Sequence, residues 1–320
     1  MRRMVFLLSV LIVASTSAQS PPVADAHQHL LSPAIAQLLG APPASANDGP
    51  IARDLIAMLD SAHIQRAVVL SLAYMYGSPS RTVVDEYAKV RAENDWTAAQ
   101  AALYPDRLVA LCSFNPLKPY ALEELTRCAG DSRLRRGIKL QFANSGVRLD
   151  DPEDVRQLQT IFRAANARGM AIVVHLRVST DGQHPYGPAE AHTFLEQLLP
   201  FAPDVPVQVA HFAVAGPGYN DQSGDSVMVV LADAVARHDP ATAHLWFDVA
   251  SLADDHISPE EAARLVQRIR RVGVERVLYG SDAAFGNNLR PREGWRAFCR
   301  LPLTPLELTT IARNLPPYIR

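Results

Sequence analysis

The sequence predicts an α/β fold, a single (β/α)8 barrel of the TIM type. The chain has 320 residues, and such a barrel takes about 250. Short runs rich in Val, Ile and Leu alternate with longer segments that have helical spacing of apolar positions, which is typical of parallel βα units. Because no low-complexity linker interrupts this alternation, one closed barrel is favoured over two separate sheets.

Eight βα units can be placed along the chain. The predicted strands are 23–30, 66–72, 108–114, 137–142, 171–176, 207–212, 245–251 and 277–282. The predicted helices are 51–62, 81–104, 120–130, 152–168, 188–199, 227–237, 259–272 and one near 304–314. Asp151 before Pro152 and Ser258 before Pro259 are typical helix starts, and Gly169 is a typical helix end.

The first 18 residues have the three parts of a secretory signal peptide. Arg2 and Arg3 precede an apolar run at 5–14, and small residues close the segment at Ala18. An apolar run of about ten residues is too short to cross a bilayer. We expect cleavage after Ala18, a barrel domain over 19–320, no membrane anchor, and a periplasmic or secreted protein.

The net charge limits the classes of binding partner, and the cysteine spacing limits the roles of the cysteines. A net charge of −2 argues against nucleic acid, so we expect a small-molecule substrate and leave a homodimer open. The three cysteines form no zinc-binding pattern. Cys112 lies in an apolar run and is predicted to be a buried thiol, although export would permit a disulfide.

Polar side chains stand at the ends of four predicted strands, where a barrel of this type builds its active site. His27 and His29 are two residues apart and therefore share one face of the first strand. His175, His211 and Asp282 end the fifth, sixth and eighth strands. One such histidine would more often be structural, but this set predicts a site for one or two divalent ions. Imidazole and carboxylate ligands fit zinc first, with manganese, iron or cobalt as alternatives.

The ordered motifs resemble the amidohydrolase superfamily, in particular its amidohydrolase 2 branch. That branch includes aminocarboxymuconate-semialdehyde decarboxylase and pyrone-dicarboxylate lactone hydrolases. The resemblance rests on segments 25–29, 137–140, 174–176, 210–212, 279–282 and 308–314. It implies a distorted (β/α)8 barrel with a divalent metal held by His27, His29, His175 and Asp282.

The resemblance also suggests roles for the polar residues. A divalent cation lowers the pKa of a bound water, and Asp282 would accept the proton of that water. His211 would be a second acid or base, a further ligand, or a residue that orients others. Lys139 would be a carbamylated bridge between two metals, a cation that stabilises a substrate anion, or a partner of Asp25. Asp25 itself would orient a ligand histidine or pair with Lys139.

Substrate recognition is expected from loops that follow the strands. Arg177 could bind a substrate carboxylate through two hydrogen bonds. Other loop candidates are Tyr74, Tyr76, Arg81, His184, Tyr186, Arg290 and Trp295.

Three functions fit these residues. The first is an exported metal-dependent hydrolase that cleaves a small lactone, ester or amide through a metal-activated water. The second is a metal-dependent decarboxylase of an unsaturated or aromatic acid, against which export argues because such acids are usually intracellular metabolites. The third, a barrel that binds metal or ligand without turnover, is disfavoured by the presence of both His211 and Asp282.

Overall fold

A computed structural model describes residues 20–42, 49–178, 183–284 and 288–319. Within them, eight parallel strands follow one another around a single sheet in sequence order. The strands are β1 (Ala24–Gln28), β2 (Arg66–Leu70), β3 (Leu108–Ser113), β4 (Gly137–Gln141), β5 (Ala171–His175), β6 (Val207–Val209), β7 (Leu245–Asp248) and β8 (Val277–Leu278). The predicted TIM barrel is confirmed. The expected signal peptide and its cleavage site lie outside the described residues.

Backbone hydrogen bonds join the first and last strands. Ala26 N–H donates to the Tyr279 carbonyl at 2.8 Å, and Asp282 N–H donates to the His27 carbonyl at 2.9 Å. These bonds bring the ends of β1 and β8 together, and with them His27 and Asp282.

Helices cover the outside of the barrel. They are α1 (Pro33–Leu38), α2 (Ala52–Ala62), α3 (Glu86–Ala102), α4 (Ala121–Gly130), α5 (Phe142–Ser145), α6 (Pro152–Asn166), α7 (Pro188–Thr193), α8 (Gln222–Ala236), α9 (Pro259–Val272), α10 (Pro291–Phe298) and α11 (Pro305–Arg313). All eight predicted helices are present, and α1, α5 and α10 were not predicted. Within the described ranges, no helix is both long enough and apolar enough to cross a membrane.

The predicted caps explain several helix starts. The Asp151 carboxylate accepts a hydrogen bond from Glu153 N–H at 2.9 Å. Ser258 and Glu261 form a reciprocal capping box at the start of α9. Helix α3 starts at Glu86 rather than at 81, because a 3-10 turn at Ala73–Gly77 and a loop occupy the chain before it.

All eight strands are shorter than predicted, and three of them end three or four residues early, which positions the site. β6 ends at Val209, β7 at Asp248 and β8 at Leu278. His211 and Asp282 follow β6 and β8 with φ angles of 52° and 53°, in the left-handed region that non-glycine residues rarely adopt. The chain thus turns sharply at both residues, where an extended strand was expected.

The prediction of a free thiol at Cys112 was wrong. Cys112 and Cys128 form a disulfide whose Cα atoms are 6.2 Å apart, and Cys299 is free. Cys112 is indeed buried on β3, but Cys128 lies on the buried face of α4 and is bonded to Cys112. Cys112 thus has a disulfide partner because the turn of helix α4 places the Cys128 side chain on the buried side of that helix.

We expect the disulfide to contribute about 3 kcal/mol to the free energy of unfolding, because it closes a short loop in the unfolded chain. Urea titrations with and without dithiothreitol should show this difference for the native protein and for Cys299→Ala. The double variant Cys112→Ala, Cys128→Ala should be insensitive to dithiothreitol. Equal stability of the native protein in both conditions would contradict the expectation.

Candidate metal centre and active site

Four imidazoles meet at the carboxyl ends of the strands. The ring centroids of His27 and His211 are 4.4 Å apart, those of His175 and His211 are 5.0 Å apart, and those of His27 and His29 are 5.3 Å apart. Asp282 joins them, with Oδ1 at 3.7 Å from His29 Nε2 and Oδ2 at 4.0 Å from His211 Nε2. All five residues singled out in the sequence therefore form one cluster.

Three of the imidazoles use Nδ1 to contact fixed oxygen atoms. Nδ1 lies 3.0 Å from Asp248 Oδ2 in His27, 2.6 Å from the Leu70 carbonyl in His29, and 2.9 Å from the Ala250 carbonyl in His211. Because a carbonyl oxygen only accepts, Nδ1 of His29 and His211 carries the proton, and in the neutral ring Nε2 keeps its lone pair. This tautomer is the one that metal-ligating histidines adopt through Nε2.

Burial keeps these imidazoles neutral. Desolvation, together with the positive charge of Lys139, lowers the pKa of His27 to about 3 despite the nearby Asp248 carboxylate. Burial likewise lowers the pKa values of His29, His175 and His211. Neutral imidazoles are the form that binds metal.

Unpartnered atoms of the cluster fit a cation. Over the part of the chain that the structure describes, buried His175 Nε2 and Asp282 Oδ1 have no hydrogen-bond partner. Candidate ligand atoms of His27, His211 and Asp282 lie within 4.8 Å of one another. Buried polar atoms are normally satisfied, so the donor set of nitrogen and carboxylate oxygen suits a divalent transition metal.

Lys139 reaches the same cluster from β4. Its Nζ lies 3.5 Å from His27 Nε2, and the residue is only 1% exposed. Burial lowers the pKa of Lys139 to about 8, although Asp248 and Asp282 oppose the shift. Its suggested role as a carbamylated bridge stays a prediction.

Asp25 does not pair with Lys139. Its carboxylate instead accepts hydrogen bonds from His27 N–H at 3.2 Å, Gln28 Nε2 at 2.7 Å and Ser281 Oγ at 2.8 Å. Asp25 therefore fixes the junction of β1 and β8, and it orients His27 through the backbone.

The residue that sequence reasoning missed is Asp248, the last residue of β7. Its fully buried carboxylate contacts His27 Nδ1 and accepts from Gln208 Nε2 at 2.7 Å, His211 N–H at 2.9 Å and Ala250 N–H at 3.1 Å. Burial alone would raise the pKa of Asp248, but His27, His211 and these hydrogen bonds hold it below its usual range. A carboxylate inside the apolar run 245–251 was the available signal, hidden because that strand was predicted to end at Ser251.

Two other residues shape the surroundings of Asp282. Asn288 Nδ2 donates to Asp282 Oδ2 at 3.0 Å and to its carbonyl at 2.8 Å. Tyr74 is buried, and burial together with the negative charge of Asp282 raises the pKa of this phenol. Burial also raises the pKa of Asp282, although Lys139 opposes the shift.

The residues that were predicted to recognise the substrate lie in different parts of the structure. Arg177 Nε is 2.8 Å from Asp221 Oδ2, and the guanidinium lies 4.8 Å from the centroid of the Tyr186 ring. The expected contact of Arg177 with a substrate carboxylate stays a prediction. Trp295 was wrongly expected in a loop, because it belongs to α10 and packs between Tyr279 and Phe298.

A (β/α)8 barrel with histidines and a carboxylate at its mouth defines a class of metal-dependent enzymes. A family model described as amidohydrolase, Amidohydro_2, matches residues 24–314. The chain belongs to this amidohydrolase family and is an enzyme of the amidohydrolase superfamily, as the motifs suggested. No curated protein matches the chain in sequence.

Solved structures of decarboxylases have the same barrel. A 5-carboxyvanillate decarboxylase from Sphingomonas paucimobilis is 16% identical, with a TM-score of 0.60 over 92% of this chain and 97% of that one. A 2,6-dihydroxybenzoate decarboxylase from Rhizobium is 16% identical, with a TM-score of 0.63 over 92% and 97%. A 5-carboxyvanillate decarboxylase from Novosphingobium aromaticivorans with bound manganese is 14% identical, with a TM-score of 0.64 over 92% and 96%.

We expect Asp248→Asn to weaken divalent metal binding by about 10- to 100-fold, because the carboxylate that orients His27 is replaced by an amide. Competition with a chelating dye measures the affinity. Asp233→Asn, which removes an exposed carboxylate paired with Arg271, is the matched control. Unchanged affinity in folded Asp248→Asn would rule out this positioning role.

Proposed function

We propose that the protein is a metal-dependent decarboxylase of an aromatic or unsaturated carboxylic acid. The observation that carries the proposal is the buried Lys139 ammonium, 3.5 Å from His27 Nε2 within the candidate metal centre. A substrate carboxylate would meet positive charge there in a site shielded from water. The likeness to solved decarboxylases over nearly the whole chain supports this choice over hydrolysis.

Decarboxylation requires a positively charged group that stabilises negative charge on the substrate, and a group that supplies a proton. When bound to His27, His29, His175, His211 and Asp282, or a subset of them, a divalent cation would act as a Lewis acid toward a substrate oxygen. Lys139 would hold the substrate anion in place by its charge. Manganese or zinc fits the ligand set, and a similar decarboxylase contains manganese.

Loss of CO2 breaks a carbon–carbon bond and leaves an electron pair on the substrate carbon, where a proton must be added. The Asp282 carboxyl, whose pKa is raised by burial, would hold this proton, and His211 Nε2 would take it up only transiently, because burial lowers the pKa of His211. His211 Nε2 lies 4.0 Å from Asp282 Oδ2, so proton transfer between them would require the two groups to move closer. Burial and the charge of Asp282 raise the pKa of the Tyr74 phenol, so this group would donate a hydrogen bond rather than act as a base.

A hydrolase of a small lactone or ester is the second candidate. The observation in its favour is the disulfide between Cys112 and Cys128, because disulfides persist in oxidising compartments. With the predicted signal peptide, it supports export of the protein to the periplasm or the medium, where acids made inside the cell are scarce. The same metal centre and Asp282 would serve hydrolysis.

We expect manganese- or zinc-loaded protein to release CO2 from hydroxylated benzoates such as 2,6-dihydroxybenzoate or 5-carboxyvanillate. Coupled CO2 detection and chromatography of the product measure the reaction, with Asp282→Asn as the inactive control. Acid release from lactones or aryl esters, without CO2 from a panel of aromatic and unsaturated acids, would assign the hydrolase instead.

Lys139→Met should lower kcat/KM for decarboxylation by about 100-fold, because a charge that stabilises the substrate anion is lost. Steady-state kinetics should place much of this loss in KM. Lys118→Met removes a lysine paired with Glu86 outside the cluster and should leave both constants unchanged. An unaltered KM in Lys139→Met would show that the lysine does not bind the carboxylate.

A further inference from the structure

A second cavity lies outside the metal centre, between α1 and α3. Its volume is about 590 Å³, which is enough for a small organic molecule. Apolar and aromatic side chains form much of its wall, and four polar side chains, those of Ser32, Gln37, Lys89 and Glu93, lie among them. The residues that matter here are Ser32, Pro33, Leu38, Tyr76, Glu93 and Trp96.

The carboxylate of Glu93 is buried with one oxygen unused. Oε2 accepts a hydrogen bond from Ser32 Oγ at 2.5 Å, whereas Oε1 is buried without a hydrogen-bond partner in the described chain. The Ser32 hydroxyl cannot donate to both oxygens of Glu93, because it has only one proton. Its oxygen in turn accepts a hydrogen bond from Ile35 N–H at 3.1 Å. Glu93 is 3% exposed, so bulk water does not easily donate a hydrogen bond to Oε1.

Along the chain, the 3-10 turn Ala73–Gly77 carries residues that interact with each of the two sites. Tyr74 in the turn interacts electrostatically with Asp282 of the metal centre. Tyr76, two residues later, lines the cavity and interacts with Glu93. None of the five residues of the metal cluster lines the cavity, which has polar groups of its own.

We infer that this cavity is a second ligand site, which takes a compact aromatic molecule ending in a primary ammonium. An ammonium group supplies both the donor and the positive charge that buried Oε1 lacks. The rings of Trp96 and Tyr76 provide apolar surface and attract cations over their faces. Lys89 stands at the rim with an exposed side chain, where solvent screens its charge.

Three probes of matched size test the proposal: 2-phenylethylamine, 2-phenylethanol and 3-phenylpropionate. Calorimetric titration of the metal-loaded full-length protein at neutral pH should show the amine binding at least tenfold tighter than the other two. Glu93→Gln should weaken amine binding at least tenfold. Asp95→Asn, the same kind of change on α3 at a carboxylate that pairs with Arg127, should leave it unaltered.

A second variant tests the cavity independently, so that the proposal remains testable if Glu93→Gln does not fold. Ala92 lines the cavity from an exposed position on α3, so Ala92→Trp fills the space without touching the Ser32 and Glu93 contact. It should abolish amine binding with an unchanged circular dichroism spectrum. The inference is wrong if the amine binds no tighter than the alcohol, or if binding survives in Ala92→Trp. It is equally wrong if binding is lost in Asp282→Asn but kept in Glu93→Gln, which would place the amine at the metal centre.

Discussion

The site depends on one buried carboxylate, that of Asp248 at the end of β7. A buried charge is costly unless it is paired and hydrogen-bonded, and Asp248 meets this demand with contacts to His27, Gln208, His211 and Ala250. These partners belong to three parts of the barrel: β1, the segment around β6, and the chain after β7. The interactions that satisfy Asp248 thus also fix the two central imidazoles of the cluster.

Closure of the barrel and assembly of the site are coupled. Asp25 on β1 binds Ser281 beside β8, and the backbone of Asp282 bonds to that of His27. His29 and Asp282 are therefore brought together only where the first and last strands meet. Since these ends are far apart in the sequence, the complete ligand set forms only in the closed barrel. Lys139 then adds positive charge on the side of β4, which favours an anionic substrate.

Sequence periodicity predicted the strands, most helices and the gathering of His27, His29, His175, His211 and Asp282, because a parallel barrel brings all strand ends to one rim. Periodicity gives the direction of a side chain but not its partner. The partners of Asp25 and Arg177 and the disulfide of Cys112 depend on which elements pack together. Asp248 was missed because the end of β7 was placed three residues too late, which hid a rim carboxylate within a strand. The left-handed turns at His211 and Asp282 have no glycine to mark them.

We propose that these strand ends form a catalytic metal centre, whichever of the two reactions it serves. Anomalous diffraction from crystals of manganese- or zinc-loaded protein, recorded on both sides of the metal absorption edge, tests it most directly. We expect an anomalous peak at a metal ion that is coordinated by Nε2 atoms of the histidine cluster and by the Asp282 carboxylate, with Asp248 behind His27. A barrel mouth without such a peak after metal loading, or a peak held only by other residues, would contradict it.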